Sequence, residues 1–251
     1  MLAKFARTTG ELLITAGLIV LFFVAYEVWG TGVQTANAQH AAAGRLEAAW
    51  AAGTDLPGGS PGDDPVVASA QPGASRPPPA PPTEGRPPAP AKDIPLGTGL
   101  ARLHIPRFGS SYKWVVVEGV SRENLKDGPG HYPGTALPGQ VGNFVVSGHR
   151  TTYGAPFGGV AELQPGDAIV VETAKTWFTY RVRSHEIVDP TDVAVTFAVP
   201  GSQDAVPTER LMTFTTCHPK YSAKQRYILY SVLENALPKA SGALPPALQA
   251  S

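Results

Sequence analysis

The stretch Leu211-Met212-Thr213-Phe214-Thr215-Thr216-Cys217, then eight turn-like residues 218–225, then an apolar run from Arg226 to Leu233, decides how this chain folds. Both runs are rich in Thr, Phe, Tyr, Ile, Leu or Val, residue types most of which pack well on a pleated surface. Joined by a short turn they make an antiparallel hairpin, which sets Cys217 and Arg226 on neighbouring strands about 5 Å apart in backbone spacing. Cys217 is the only cysteine, so it has no partner for an internal disulfide. A guanidinium beside a thiol stabilises a thiolate or an oxyanion. The alternative is an inert core thiol, because free cysteines are among the most buried residue types.

Outward from the hairpin, the same pattern repeats. Ala101–Ile105, Trp114–Glu118, Val141–Ser147, Ala168–Thr173, Trp177–Val182 and His185–Val188 are short runs, most of them rich in β-branched and aromatic residues and bounded by Gly, Pro or Asp. Thr173-Ala174-Lys175-Thr176 reads as a hairpin connection, and Asp127–Pro138, dense in Gly and Pro, as a loop. With Leu211–Thr216 and Tyr227–Leu233 the runs number eight. The expected fold is therefore all-β, an eight-stranded barrel over residues 96–235, since closure removes exposed edges.

The N-terminal third is different in kind. Residues 12–29 are almost wholly apolar and, as a helix of about 27 Å, are long enough for a bilayer core. Lys4 and Arg7 precede them, and no Lys or Arg follows until Arg45. The positive-inside rule then predicts a cytoplasmic tail at 1–10, a signal-anchor helix at 11–29, and an exported remainder in a cell membrane. A cleaved signal peptide is the competing reading, because Ala36-Asn37-Ala38 resembles a small-x-small site. Residues 30–56 favour a juxtamembrane helix by composition. Residues 57–95 hold 13 of the 26 prolines and are expected to be a disordered, extended spacer holding the barrel several nanometres from the bilayer. Residues 236–251 are expected to be a disordered tail. Charge is balanced, 20 Lys and Arg against 20 Asp and Glu, so no concentrated basic face suggests nucleic acid.

A nucleophilic cysteine needs a proton donor and an oxyanion holder. Of the six histidines, His218 follows Cys217 directly and points to the opposite face of a shared strand. His104 and His185 fall in strands, His131 in the Gly/Pro loop, and His149 at the end of the strand-like Gly142–Ser147 run, before the loop Arg150-Thr151-Thr152-Tyr153-Gly154. A strand-end residue at a loop-lined mouth is a usual place for chemistry, although an ordinary loop histidine has the same appearance. Tyr112, His131 and Tyr132 are placed to shape a substrate groove, and Thr216 to contribute to the oxyanion site; packing explains each of them as well. Asp189, Asp192 and Asp204 do not have the spacing of a calcium loop, so no metal and no cofactor are expected.

The combination Val146-Ser147-Gly148-His149-Arg150-Thr151-Thr152-Tyr153-Gly154-Ala155-Pro156-Phe157, Thr213-Phe214-Thr215-Thr216-Cys217 and Arg226 nine residues on resembles the sortase family. Asp127–Gly139 and Leu163–Val171 are also sortase-like. Phe214 stands where the family's T-L-x-T-C signature has Leu. Within the family, the short Cys217-to-Arg226 connection and the Gly148–Phe157 stretch look most like class E, with class D the neighbouring possibility. The resemblance, over about 100–235, implies an eight-stranded barrel and a membrane-anchored cysteine transpeptidase with Cys217 as nucleophile, His149 as acid and base, and Arg226 on the sorting motif and oxyanion. It implies cleavage between Thr and Gly of an LAxTG or LPxTG motif in substrate proteins. The acyl group passes to an amine of the lipid-linked peptidoglycan precursor or stem peptide. A cell-wall cysteine hydrolase or L,D-transpeptidase, and a non-enzymatic wall-binding domain with Cys217 buried, are the alternatives.

Overall fold

A computed structural model describes residues 2–26, 30–53 and 94–249. Eight strands close into a barrel: β1 Gly99–His104, β2 Lys113–Glu118, β3 Gly130–His131, β4 Gly142–Ser147, β5 Ala168–Glu172, β6 Thr176–Val188, β7 Arg210–His218 and β8 Gln225–Pro238. Around the barrel their order is β1, β2, β3, β4, β7, β8, β6, β5. Pairing is antiparallel except where β2 meets β3 and β4 meets β7.

The number of strands agrees with the sequence reading, but two of the expected boundaries do not. Trp177–Val182 and His185–Val188 are one strand, β6, joined through a register shift between Val182 and Ser184, with another between Thr179 and Tyr180. A bulge accommodates an extra residue without ending a strand, which is why the polar Arg183-Ser184 looked like a break. The eighth strand is instead β3, two residues inside the segment expected to be loop. Gly130 is obligatory there, because a Cβ on it would come within 2.1 Å of the Gly119 carbonyl oxygen.

The interior is continuous, with Leu100, Leu103, Phe144, Val146, Ile169, Val171, Tyr180, Met212, Phe214 and Leu229 among its members. Each fully buried side chain of this size contributes roughly 1.5–3 kcal/mol. Asn143, also buried, ties β4 to β7 and to the segment between β6 and β7: its side chain donates to the Val195 and Phe197 carbonyls and accepts from the Thr213 hydroxyl.

Helix α1 spans Leu2–Ala25, and its Arg7–Val24 window is long and apolar enough to cross a membrane, by length and composition. Residues 27–29 of the expected span lie outside the described residues. Helix α2, Thr31–Ala51, is the helix expected over 30–56, but it does not stand free. Thr31, Thr35, Ala42 and Leu46 are buried, and Ala42 and Leu46 pack on Val115 and Val117 of β2. The Gln39 side chain accepts from the Val115 N–H and donates to the Val115 and Asp127 carbonyls. At the other end Glu47 pairs with Arg102, and Trp50 lies against the cations of Arg102 and Lys239.

Most of the proline-rich linker, 54–93, lies outside the described residues. The helix before it and the strand after it are both on the barrel. The tail is corrected. β8 continues to Pro238, Lys239 donates to Glu172 and to the Thr173 carbonyl, and a short helix, α4, spans Pro246–Gln249. The remaining helix, α3, spans Arg122–Asp127 and is capped by Ser121, whose hydroxyl accepts from the Asn124 N–H.

Candidate active site

Cys217 and Arg226 are partners on one rung of the β7–β8 ladder, in a register that runs without a shift from Leu211–Val232 to His218–Gln225. Met212 and Phe214 of β7, and Tyr227 and Leu229 of β8, belong to the core. Side chains alternate along a strand, so Cys217 and Arg226 project together from the other face. Cys217 is partly exposed. The Arg226 guanidinium rests on its own turn, donating to the Ala223 and Gln225 carbonyls at 3.0 Å each.

His149 is brought beside this rung by β4, which runs parallel to β7 with Ser147 opposite Thr215. The next residue, Gly148, donates its N–H to the Thr215 carbonyl and accepts the Thr216 hydroxyl at 2.7 Å. The backbone leading into His149 is thus fastened to the two residues that precede Cys217. Gly148 must be glycine, because a Cβ would meet the Phe157 ring at 2.7 Å, and that ring stacks on Phe214.

His149 is half-buried, and burial pushes its pKa below the ordinary 6.5 by disfavouring the charged ring. Its Nδ1 is 3.4 Å from the Thr152 hydroxyl, and its ring lies 4.8 Å from that of Tyr153. Nε2 is buried and has no hydrogen-bond partner among the described residues. An unpaired buried nitrogen costs free energy unless something met in function satisfies it.

Arg150, which the sequence reading passed over, turns the other way. It donates to the Cys217 carbonyl at 3.1 Å and lies 3.0 Å from His218 Nδ1. Its guanidinium also covers the Tyr227 ring at 5.2 Å. Because arginine only donates, Nδ1 of His218 accepts and its ring proton is on Nε2. Arg150 is thus tied to the Cys217 backbone, to His218 and to Tyr227, while the His149 ring lies against Thr152 and Tyr153. In the sequence only its place next to His149 marked Arg150.

The loop that follows is held in an unusual backbone. Tyr153, Gly154 and Ala155 all have positive φ, of 52°, 71° and 47°, which side chains other than glycine resist. Three props hold it. The Tyr112 hydroxyl donates to the Pro156 carbonyl at 2.6 Å, Trp114 fills the space above Gly154, and the Thr31 hydroxyl of α2 lies 3.4 Å from the Tyr153 N–H.

These contacts revise the expected groove. Tyr112 is a packing prop, and burial raises its pKa well above the usual range. Thr216 is buried with its hydroxyl committed to Gly148. His131 is wholly buried, its Nδ1 2.7 Å from Glu118 and its Nε2 beside Thr135 and the Ala136 carbonyl. It cannot line a groove. Tyr132 is half-buried and joined to Val145 through its backbone N–H.

Residues 103–234 match the family described as Sortase domain. The chain belongs to the sortase family. It is 32% identical to sortase SrtE1 of Streptomyces coelicolor over 94% of this chain, and it spans 59% of that relative's length. The crystal structure of sortase E1 from the same organism, solved with a tripeptide in its active site, is 36% identical with a TM-score of 0.56, covering 61% of this chain and 97% of that one. The SrtF sortase of Corynebacterium diphtheriae is 35% identical with a TM-score of 0.60, covering 66% of this chain and 99% of that one. Sortases are cysteine transpeptidases, and within the family this chain is most like class E.

Proposed function

We propose that this chain is a membrane-anchored sortase that cuts a C-terminal sorting motif of the LAxTG or LPxTG type between Thr and Gly and passes the acyl group to a cell-wall amine. The Cys217 thiol passes its proton to His149 Nε2 as Sγ attacks the Thr carbonyl carbon, forming a C–S bond, and the C–N bond to Gly breaks. His149 gives that proton to the departing amine through Nε2. The incoming amine nitrogen then attacks the thioester, His149 takes its proton, and the thiolate leaves. Arg226 turns from the Ala223 and Gln225 carbonyls to the motif backbone and the oxyanion, where charge develops. Class E likeness favours LAxTG, and α1 serves as the anchor with the barrel outside the cell. The acceptor is the amine of a lipid-linked precursor or stem peptide.

The observation that carries this reading is the shared rung of Cys217 and Arg226, with the backbone leading into His149 fastened to the residues before Cys217. The full chain incubated with an LAxTG peptide should gain the mass of the acyl fragment on Cys217 and release a peptide beginning with Gly. Hydroxylamine or a glycine-like amine should discharge it. Cys217→Ala should show neither adduct nor release. Release that persisted in Cys217→Ala would sink the proposal.

A further inference from the structure

Helix α2 determines where the catalytic mouth lies, and it does so from its membrane-side end. Its buried contacts at 31, 35, 39, 42 and 46 follow steps of four and three, one continuous stripe along the helix. Thr35 donates to the Lys126 carbonyl, Gln39 grips β2, Leu46 packs on Val115 and Val117, and Glu47 pairs with Arg102. A helix of 21 residues fixed at both ends and along its middle moves with the barrel. Its first residue, Thr31, lies against Tyr153, in the loop that carries His149.

Only four residues separate Tyr26, at the end of the apolar helix, from Thr31. Even a fully extended chain allows no more than about 18 Å between them. The linker at 54–93 joins α2 to β1, two elements already on the barrel, so its length does not enter this distance.

The turn beside the nucleophile has the composition to meet a membrane surface. Residues 219–224 contain Lys220, Tyr221 and Lys224, and Tyr221 is 89% exposed. There is no acidic residue between Glu209 and Glu234. Exposed aromatics favour the headgroup layer, and lysines near it gain from anionic lipid. The turn follows His218, which Arg150 holds next to the His149 loop, so the basic turn and the α2 end are on the same side of the molecule.

We infer that the catalytic mouth docks on the anionic surface of the membrane, with α2 setting its height and the Lys220-Tyr221-Lys224 turn making contact with lipid headgroups. This rests on the proposed anchoring by α1. An amine carried on a membrane lipid is then presented within reach of the thioester, while a sorting-motif protein approaches from the side.

The single cysteine allows a direct test. The full chain, labelled at Cys217 with a thiol-reactive donor fluorophore, is placed in vesicles of phosphatidylglycerol and phosphatidylcholine carrying a headgroup acceptor. Docking predicts strong energy transfer that is unchanged when residues 57–92 are duplicated in tandem. It predicts a fall of about half or more for Lys220→Glu with Tyr221→Ser and Lys224→Glu, and a comparable fall in pure phosphatidylcholine. Leu46→Glu with Gln39→Ala should release α2 and make the transfer depend on linker length. Weak transfer in the unaltered chain, or transfer that falls when the linker is duplicated, overturns docking. A triple variant with unchanged transfer overturns the role of the turn. If that variant lost peptide cleavage in solution as well, the turn would be a contact for the sorting-motif protein, and the membrane reading would fail. Flotation separates the two levels: protein left at the bottom of the gradient overturns the anchor itself, whereas protein that floats but shows weak transfer overturns only docking.

Discussion

Arg226 faces Cys217 across a rung, yet both hydrogen bonds recorded for its guanidinium go to carbonyls of the turn. Those carbonyls are accessible to water, so releasing them for a substrate oxyanion costs little. A guanidinium offers a planar fork of donors that stays charged at any working pH, whereas lysine offers one mobile point charge. Arg226→Lys should therefore lose on the order of 2–4 kcal/mol in kcat/KM, as removal of an oxyanion donor does, with an unchanged melting curve. Near-normal transfer kinetics in a folded variant would remove Arg226 from the mechanism. His149 invites a pH measurement. Its pKa in the folded chain is held below the ordinary 6.5 by burial, so the unfolded chain binds the proton more readily. The stability this gives is complete above the ordinary value and is lost as pH falls through the depressed one. His149→Gln should flatten part of the stability loss on acidification below about pH 6.5, seen as a smaller drop in denaturation midpoint between pH 7 and pH 5. An identical acid limb in both proteins would show that this ring does not contribute.

Among the elements, β3 holds the most instructive side chain. His131 and Glu118 are buried opposite one another on the β2–β3 rung. Removing one partner leaves the other polar and buried, a loss on the order of 3 kcal/mol. His131→Ala should lower the denaturation midpoint accordingly while activity per folded molecule stays near the parent's. A selective loss of KM for the sorting peptide, with stability intact, would restore His131 to the groove. The contrast shows what the sequence could carry. The β7–β8 hairpin was legible because two strongly apolar runs flank one turn, and the Cys217–Arg226 rung follows from counting outward from it. β3 was not, because two residues in a Gly/Pro segment pair through non-local bonds that composition does not encode. His149 drew attention by its strand-end position, whereas nothing but adjacency to it marked Arg150. The docked face of α2 was hidden because its stripe is mostly Thr, Gln and Ala, with Leu46 its large apolar member.

For the molecule as a whole, α2 counts as part of the catalytic domain. A chain beginning near Ile94 uncovers Val115 and Val117 and leaves Arg102 without Glu47. The barrel's own core is intact, so the shorter chain should still fold and cleave peptide. It should be less stable than one beginning at Gly30 by about 2–4 kcal/mol, from the apolar surface exposed and hydrogen bonds lost. Calorimetry of the two chains should then separate their midpoints by several degrees. Equal midpoints would mean that α2 adds nothing to the fold. The same docking bears on how such an enzyme would leave its cell. In a tethered enzyme a single nick between Gly53 and Ile94 would shed the catalytic unit into the medium. Here the severed halves would remain paired through Gln39, Leu46, Glu47 and Trp50, and with the proposed anchor the nicked protein would stay at the membrane as two chains.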